Sequence, residues 1–113
     1  MSNTYLYAKW MNAPADSPAE YYSEIDAGRW ERRKVEIFAD GRAGYASAAG
    51  SALDTRLAIV PLPSLAEIAA QKEFEARAIN ASEFEDVWNK AVRRESFATL
   101  KATPRIRMAA GGR

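Results

Sequence analysis

A chain of 113 residues, 48% hydrophobic and 27% charged, has the size of one small globular domain, able to bury about 65% of its unfolded surface. It has no cysteine and no histidine, which excludes a disulfide framework and thiol chemistry and removes the commonest metal ligand and general base. The net charge of +1 hides a division. Residues 1–89 carry nine Lys/Arg against fourteen Asp/Glu, while residues 90–113 carry seven (Lys90, Arg93, Arg94, Lys101, Arg105, Arg107, Arg113) against Glu95 alone.

Thr4–Met11 alternates Leu6, Ala8 and Trp10 with Tyr5, Tyr7 and Lys9. Both sets are rich in strand formers, so a first strand is expected here. Asn12–Pro18, with two prolines, reads as a loop. The chain is then organised around Tyr21–Ser47, which reads as three consecutive antiparallel strands joined by two tight turns. Ala27-Gly28 separates Tyr21–Asp26 from Arg29–Ala39. Asp40-Gly41 marks the second turn, because a type I′ turn needs φ > 0 at both central positions. A two-residue loop there pairs Phe38 with Ala43, Ile37 with Gly44 and Glu36 with Tyr45.

Side chains alternate along a strand. One face of the middle strand is therefore expected to hold Arg29, Glu31, Arg33, Val35 and Ile37, and the other Trp30, Arg32, Lys34, Glu36 and Phe38. Val35 and Ile37 read as core, with Trp30 and Phe38 covering an edge or a second layer. Glu31–Glu36 places five charges in six residues, next to Glu24 and Asp26 on the preceding strand. Such a cluster is either cross-strand ion pairing on a solvated face, weak per pair, or a recognition surface displayed to a partner.

Ala48–Ala52 is a run of small residues, expected to pack little and to be mobile. Thr55–Val60 forms a short strand or an extended segment leading to Pro61-Leu62-Pro63. Ser64 and Glu67 have the spacing of a capping box, each side chain satisfying a backbone N–H that the first helical turn leaves free. Leu65, Ile68 and Ala69 then give a short amphipathic helix. Phe74–Ile79 has no decisive period and is open to another extended piece. A second helix over 82–95 starts at Asn80 or Ser82, with Glu83 or Glu85 as the cap's partner. Phe84, Val87, Trp88, Ala91 and Val92 form its apolar stripe. Its acidic start and basic end suit the helix dipole. Phe97 and Leu100 fall off that stripe and are expected to fray, with the last ten residues disordered.

The expected architecture is α+β: an antiparallel meander sheet of four to five strands, with one long C-terminal helix and one short helix on one face. Residues 1–95 make the domain and 96–113 a basic extension. No phosphate-cradling loop, metal cluster or activated nucleophile is visible, so no cofactor is expected. Glu24 and Asp26, with Glu31 or Glu36 across from them, are the one carboxylate grouping that could hydrolyse a glycoside. Neighbouring Arg32, Arg33 and Lys34 would keep those acids ionised, which opposes acid–base work. Leu57–Val60 is far too short to span a bilayer, and the N-terminus lacks a charged segment followed by an apolar one. A cytoplasmic protein with no membrane contact is expected.

Tyr22-Ser23-Glu24-Ile25-Asp26, Arg29, Glu31, Arg33-Lys34-Val35-Glu36, Phe38 and Asp40-Gly41, followed in order by Pro61-Leu62-Pro63-Ser64, Glu67-Ile68, Glu73-Phe74 and Phe84-Glu85-Asp86-Val87-Trp88, resemble the signature of a family of short uncharacterised bacterial domains of unknown function. The resemblance covers about residues 4 to 89. It implies a small stand-alone bacterial protein and brings no catalytic residues with it. Met11-Asn12 stands where the family often shows His-Asp, and the chain past Lys90 is an extension.

The function these features point to is a non-enzymatic inhibitor or adaptor of the immunity-protein or phage anti-defence (anti-CRISPR-like) kind. It would dock on a protein partner through Glu24, Asp26, Glu31, Arg32, Arg33, Lys34 and Glu36 on a charged sheet face. The competing reading is a nucleic-acid accessory protein using Arg93, Arg94, Lys101, Arg105 and Arg107.

Overall fold

A computed structural model describes residues 3–97 except residue 54. The chain forms β1 (Thr4–Trp10), β2 (Pro18–Ile25), β3 (Glu31–Phe38), β4 (Ala43–Ser47), β5 (Gly50–Ala52), α1 (Leu65–Ala69), β6 (Phe74–Ile79) and α2 (Ala81–Val92). The strands make one antiparallel sheet in the order β5-β4-β3-β2-β1-β6. The α+β class and the meander are as expected. The sheet has six strands rather than four or five, and α2 is a helix of twelve residues rather than a long one.

The added strands are β5 and β6. Phe74–Ile79 pairs along β1 from Tyr5↔Ile79 to Trp10↔Phe74. The small-residue run is not a loose loop: Gly50–Ala52 pairs with β4, and Gly44 makes this possible. A Cβ on Gly44 would lie 2.1 Å from the Thr55 hydroxyl and 2.8 Å from the Ala52 carbonyl. Only a residue without a side chain lets the chain fold back so closely.

The β3–β4 turn differs by one residue from the two-residue loop. The register is Ile37↔Ala43, Glu36↔Gly44 and Val35↔Tyr45. Phe38 faces Arg42 across a three-residue loop in which Gly41 takes φ 94°. A turn followed by a left-handed glycine is the three-residue alternative for such sequences. In the first turn the left-handed position falls on Arg29 (φ 70°), not on Gly28. The Asp26 carboxylate accepts from the backbone N–H of Gly28 and of Trp30, which holds that turn.

α2 packs on one face of the sheet, over Tyr5, Tyr22, Val35, Ile37 and Tyr45. Phe84 and Ala91 are buried there, with Val87 and Trp88 packed alongside. Asn80, rather than Ser82, caps this helix: its side chain accepts from the Glu83 N–H at 2.8 Å. At the other end Arg94 adopts φ 63°, with Arg94 N–H bonded to the Ala91 carbonyl and Glu95 N–H to the Lys90 carbonyl. That is a Schellman stop, with arginine where glycine is usual. It turns the chain back, so Phe97 enters the core at 2% exposure instead of fraying. Its N–H bonds to the Gly41 carbonyl. Leu100 and the last ten residues lie outside the described residues.

The opposite face buries Leu6, Ala8, Ile25 and Ala46. Residues 55–63 cross beneath it without becoming a strand, bend at Ile59 and Val60, and lead into α1. The Ser64/Glu67 capping box is formed as expected.

Candidate functional site

The seven charged residues expected to dock a partner, Glu24, Asp26, Glu31, Arg32, Arg33, Lys34 and Glu36, do not share a face. Glu24 pairs with Arg33, but the next pair is Ile25↔Glu31, so Arg32 is an extra residue in β3. Such a bulge inserts one residue and reverses the facing of everything beyond it. Glu31 is thereby carried to the face opposite Arg33, joining Lys34 and Glu36. The simple alternation that grouped Glu31 with Arg33, Val35 and Ile37 is corrected by this single insertion.

On the helix-covered face, Arg33 is the centre of a network. Its Nε donates to Glu24 at 2.5 Å, its Nη1 to Glu85 Oε1 at 3.1 Å, and its Nη2 also reaches Glu85. The guanidinium lies 4.9 Å from the Phe84 ring centroid and 5.1 Å from that of Trp88, within cation–π range. Glu24 additionally accepts from Asn3 and from the Tyr5 hydroxyl. Burial opposes ionisation of Glu24, yet hydrogen bonds from Arg33, Asn3 and Tyr5 and the Arg33 charge prevail. Its carboxyl is held below the usual range. The Glu85 hydrogen bond raises the Arg33 pKa against the effect of burial, with Glu24 adding to it.

On the other face, Glu31 is buried. It accepts from the Ser23 hydroxyl at 2.8 Å and from the Ala58 backbone N–H at 2.8 Å, and pairs with Lys34 at 3.2 Å. Lys34 donates to the Arg56 carbonyl at 2.8 Å, and Glu36 accepts from Thr55 at 3.2 Å. These charges fasten residues 55–58 to the sheet. Among the seven, only Arg32 has a mostly exposed side chain (58%), with Asp26 3.7 Å away. The Asp26 carboxylate accepts from the Gly28 and Trp30 N–H groups of its turn.

The elements these charges hold carry the exposed apolar residues. Leu62 N–H bonds to the Arg29 carbonyl at 2.7 Å, and Arg29 Nε donates to the Leu62 carbonyl. Residues 58–62 therefore run beside 29–31. Ile59 is 90% exposed, Val60 61% and Trp30 44%. Trp30, expected to cover an edge or a second layer, stands among the exposed large apolar residues. The available signal was an apolar Ile-Val pair in a proline-bounded segment without strand or helix period. Glu85, Tyr5 and Thr55 were missed as partners because each comes from a distant part of the chain, and Ser23 because the bulge turns Glu31 toward it.

Among the C-terminal cations, Arg93 and Lys90 both bind Glu95, at 2.7 Å and 3.4 Å. Arg94 lines a cleft of about 410 Å³ with Asp40, Arg42, Tyr45, Leu53 and Glu95. Lys101, Arg105 and Arg107 lie outside the described residues. No group of three or more acidic side chains among the described residues is arranged to hold a metal ion. No helix among them is long and apolar enough to cross a membrane.

The sequence profile of one family, described as Domain of unknown function (DUF6881), matches residues 4–93. The chain belongs to that family. No curated protein and no solved structure matches it. The DUF6881 match runs from the first residue of β1 to the cap of α2, four residues past the span of the resemblance noted in the sequence. It takes in all six strands, both helices and both ionic clusters.

Proposed function

We propose that this DUF6881 domain is a non-enzymatic protein-binding module, an inhibitor or adaptor, that docks through the tip formed by Trp30, Ile59 and Val60 with Arg32 at its rim. One observation carries the reading: three large apolar side chains stand exposed on two segments held side by side by backbone hydrogen bonds and by the Glu31–Ala58 contact. Apolar surface kept in water and rigidly mounted is what a partner covers, and Trp and Arg are the residues that most often dominate such contacts. Mounting it on a sheet lowers the ordering cost of binding. In this reading Glu31, Lys34 and Glu36 support the docking loop, and Arg33, Glu24 and Glu85 lock the sheet to α2.

The lowered pKa of Glu24 favours binding over acid catalysis, since a proton donor needs the opposite shift. The finer reading, an inhibitor of the immunity-protein or anti-defence kind, is the class of small cytoplasmic protein whose action consists of such docking. The experiment is affinity capture from the native host with wild type, Trp30→Ala and Ile59→Asp proteins. All three side chains are exposed, so the variants are expected to fold. Wild type should retain a partner that both variants lose. Equal recovery by all three refutes the assignment of this tip.

A further inference from the structure

Pro61 and Pro63 stand two apart in the segment that bears Ile59 and Val60, and both are exposed. A proline ring fixes its own φ at about −65° and confines the residue before it to extended backbone. Val60, Pro61, Leu62 and Pro63 are all restricted in this way, and Ser64 continues the run at φ −67° and ψ 160°. That is the polyproline range. Three residues per turn put Val60 and Pro63 on one edge, Pro61 on a second and Leu62 on the third. The burial agrees: Leu62 is half-buried against the domain, while Val60, Pro61 and Pro63 are exposed.

Arg29 holds this run in place. Its carbonyl accepts from the Leu62 N–H at 2.7 Å, its Nε donates to the Leu62 carbonyl at 3.3 Å, and its Nη2 donates to the Pro63 carbonyl. It does so from φ 70°, a strained position for any residue but glycine. From Pro61 to Pro63 no donor is left, since the two prolines have no N–H and that of Leu62 is used. Among the described residues nothing donates to the Val60 and Pro61 carbonyls. The outward side of Pro61–Pro63 therefore presents hydrocarbon rings and acceptors without a donor.

We propose that Val60–Pro63 is a preformed polyproline ligand, and that the protein partner of this domain reads it in a groove lined by Trp and Tyr side chains. The inference rests on the docking role of the tip and names the chemistry of the other side. Flat aromatic faces fit against proline rings, and an indole N–H or a phenol O–H supplies the donors that Pro61–Pro63 lacks. A partner surface without such donors would bury the Val60 and Pro61 carbonyls unpaired, which costs affinity. Clamped by Arg29 and stiffened by two rings, the run loses little freedom on binding. Ile59 precedes it and Trp30 follows its clamp, so both add apolar area beside it.

The test uses the full chain and the partner it captures from the native host. That partner is purified and titrated with wild type, Trp30→Ala, Ile59→Asp and the double variant Pro61→Ala/Pro63→Ala, each checked for folding by circular dichroism. A photo-crosslinking p-benzoylphenylalanine at position 60 then marks the partner, and mass spectrometry locates the attachment. The double variant should bind roughly tenfold or more weakly, since it loses both the rings and the stiffness they give. Excess poly-L-proline should displace wild type, and the crosslink should fall in a segment bearing Trp or Tyr. A double variant that binds as wild type does, poly-L-proline that displaces nothing, or a crosslink away from any Trp or Tyr each overturns the proposal. If Trp30→Ala and Ile59→Asp still release the partner in that case, the tip itself stands. A partner that every variant retains, or a wild type that captures none, overturns both.

Discussion

Arg33 on the third strand and Glu85 on the second helix face each other, with Nη1 donating to Oε1 at 3.1 Å. The same guanidinium neutralises Glu24, so one cation serves two carboxylates and covers two aromatic rings. Replacing Arg33 with methionine keeps much of the packing and strands Glu24. The expected cost is about 2–3 kcal/mol, at the low end for breaking a buried pair because the site is not fully dry. Adding Glu24→Gln should recover part of that loss. Urea denaturation of the single and double variants measures both effects.

Glu24 also sets an acid limb. Its folded pKa is lowered from an ordinary 4.5, so the unfolded chain takes up a proton first as pH falls. The stability it contributes is complete above about 4.5 and lost as pH drops through the folded value. Thermal unfolding between pH 3 and 7 should therefore show a shallower acid decline for Glu24→Gln than for wild type.

Tyr22 sets an alkaline limb. Burial, reinforced by the Glu20 charge, pushes its hydroxyl up to about 12, and burial raises Tyr5, Tyr7 and Tyr21 as well. The folded state keeps protons that the unfolded state loses near pH 10, so stability should fall as pH rises from about 10 to 12. Tyrosinate absorbance should rise late and together with unfolding, and Tyr22→Phe should soften the decline.

Gly44→Ala should be costly despite its small size. The new methyl meets the Thr55 hydroxyl and the Ala52 backbone, and backbone cannot rotate away. A loss of about 2–3 kcal/mol is expected. Amide exchange of Gly50–Ala52 should quicken out of proportion to the rest of the sheet.

Arg94→Gly should stabilise. Arginine at φ 63° bears a backbone strain that glycine avoids, offset in part by glycine's greater freedom when unfolded. A gain of about 0.5–1 kcal/mol is expected, read as a higher melting temperature.

Patterns local in sequence were legible: the β2–β4 meander, the Ser64/Glu67 box and the Phe84–Ala91 stripe all follow from near-neighbour rules. What escaped depends on contacts far along the chain. Arg29 and Arg94 take left-handed positions where the rules look for glycine, so the first turn and the return of Phe97 to the core left no local mark. The Asp40-Gly41 signal located its turn correctly, but the two- and three-residue versions share that dipeptide. Phe74–Ile79 alternates too weakly to declare itself without β1 beside it. For the candidate site, the charged cluster was visible and its division between the two faces was not, because the extra residue at position 32 has no signature in composition.

That extra residue stands outside the pairing of its strand. Deleting Arg32 would leave every other acidic and basic group present and the overall charge lower by one. Glu31 would then adjoin Arg33, and since neighbours in a strand point to opposite sides, it would keep Ile25 as its partner and stay on the floor of the sheet. The loop bearing Ile59 and Val60 would keep its anchor, and the loss would fall on the rim cation and on the local bend the extra residue gives the strand. In this protein the surplus residue is a spacer that sets the shape and charge of the rim while both latches close without it.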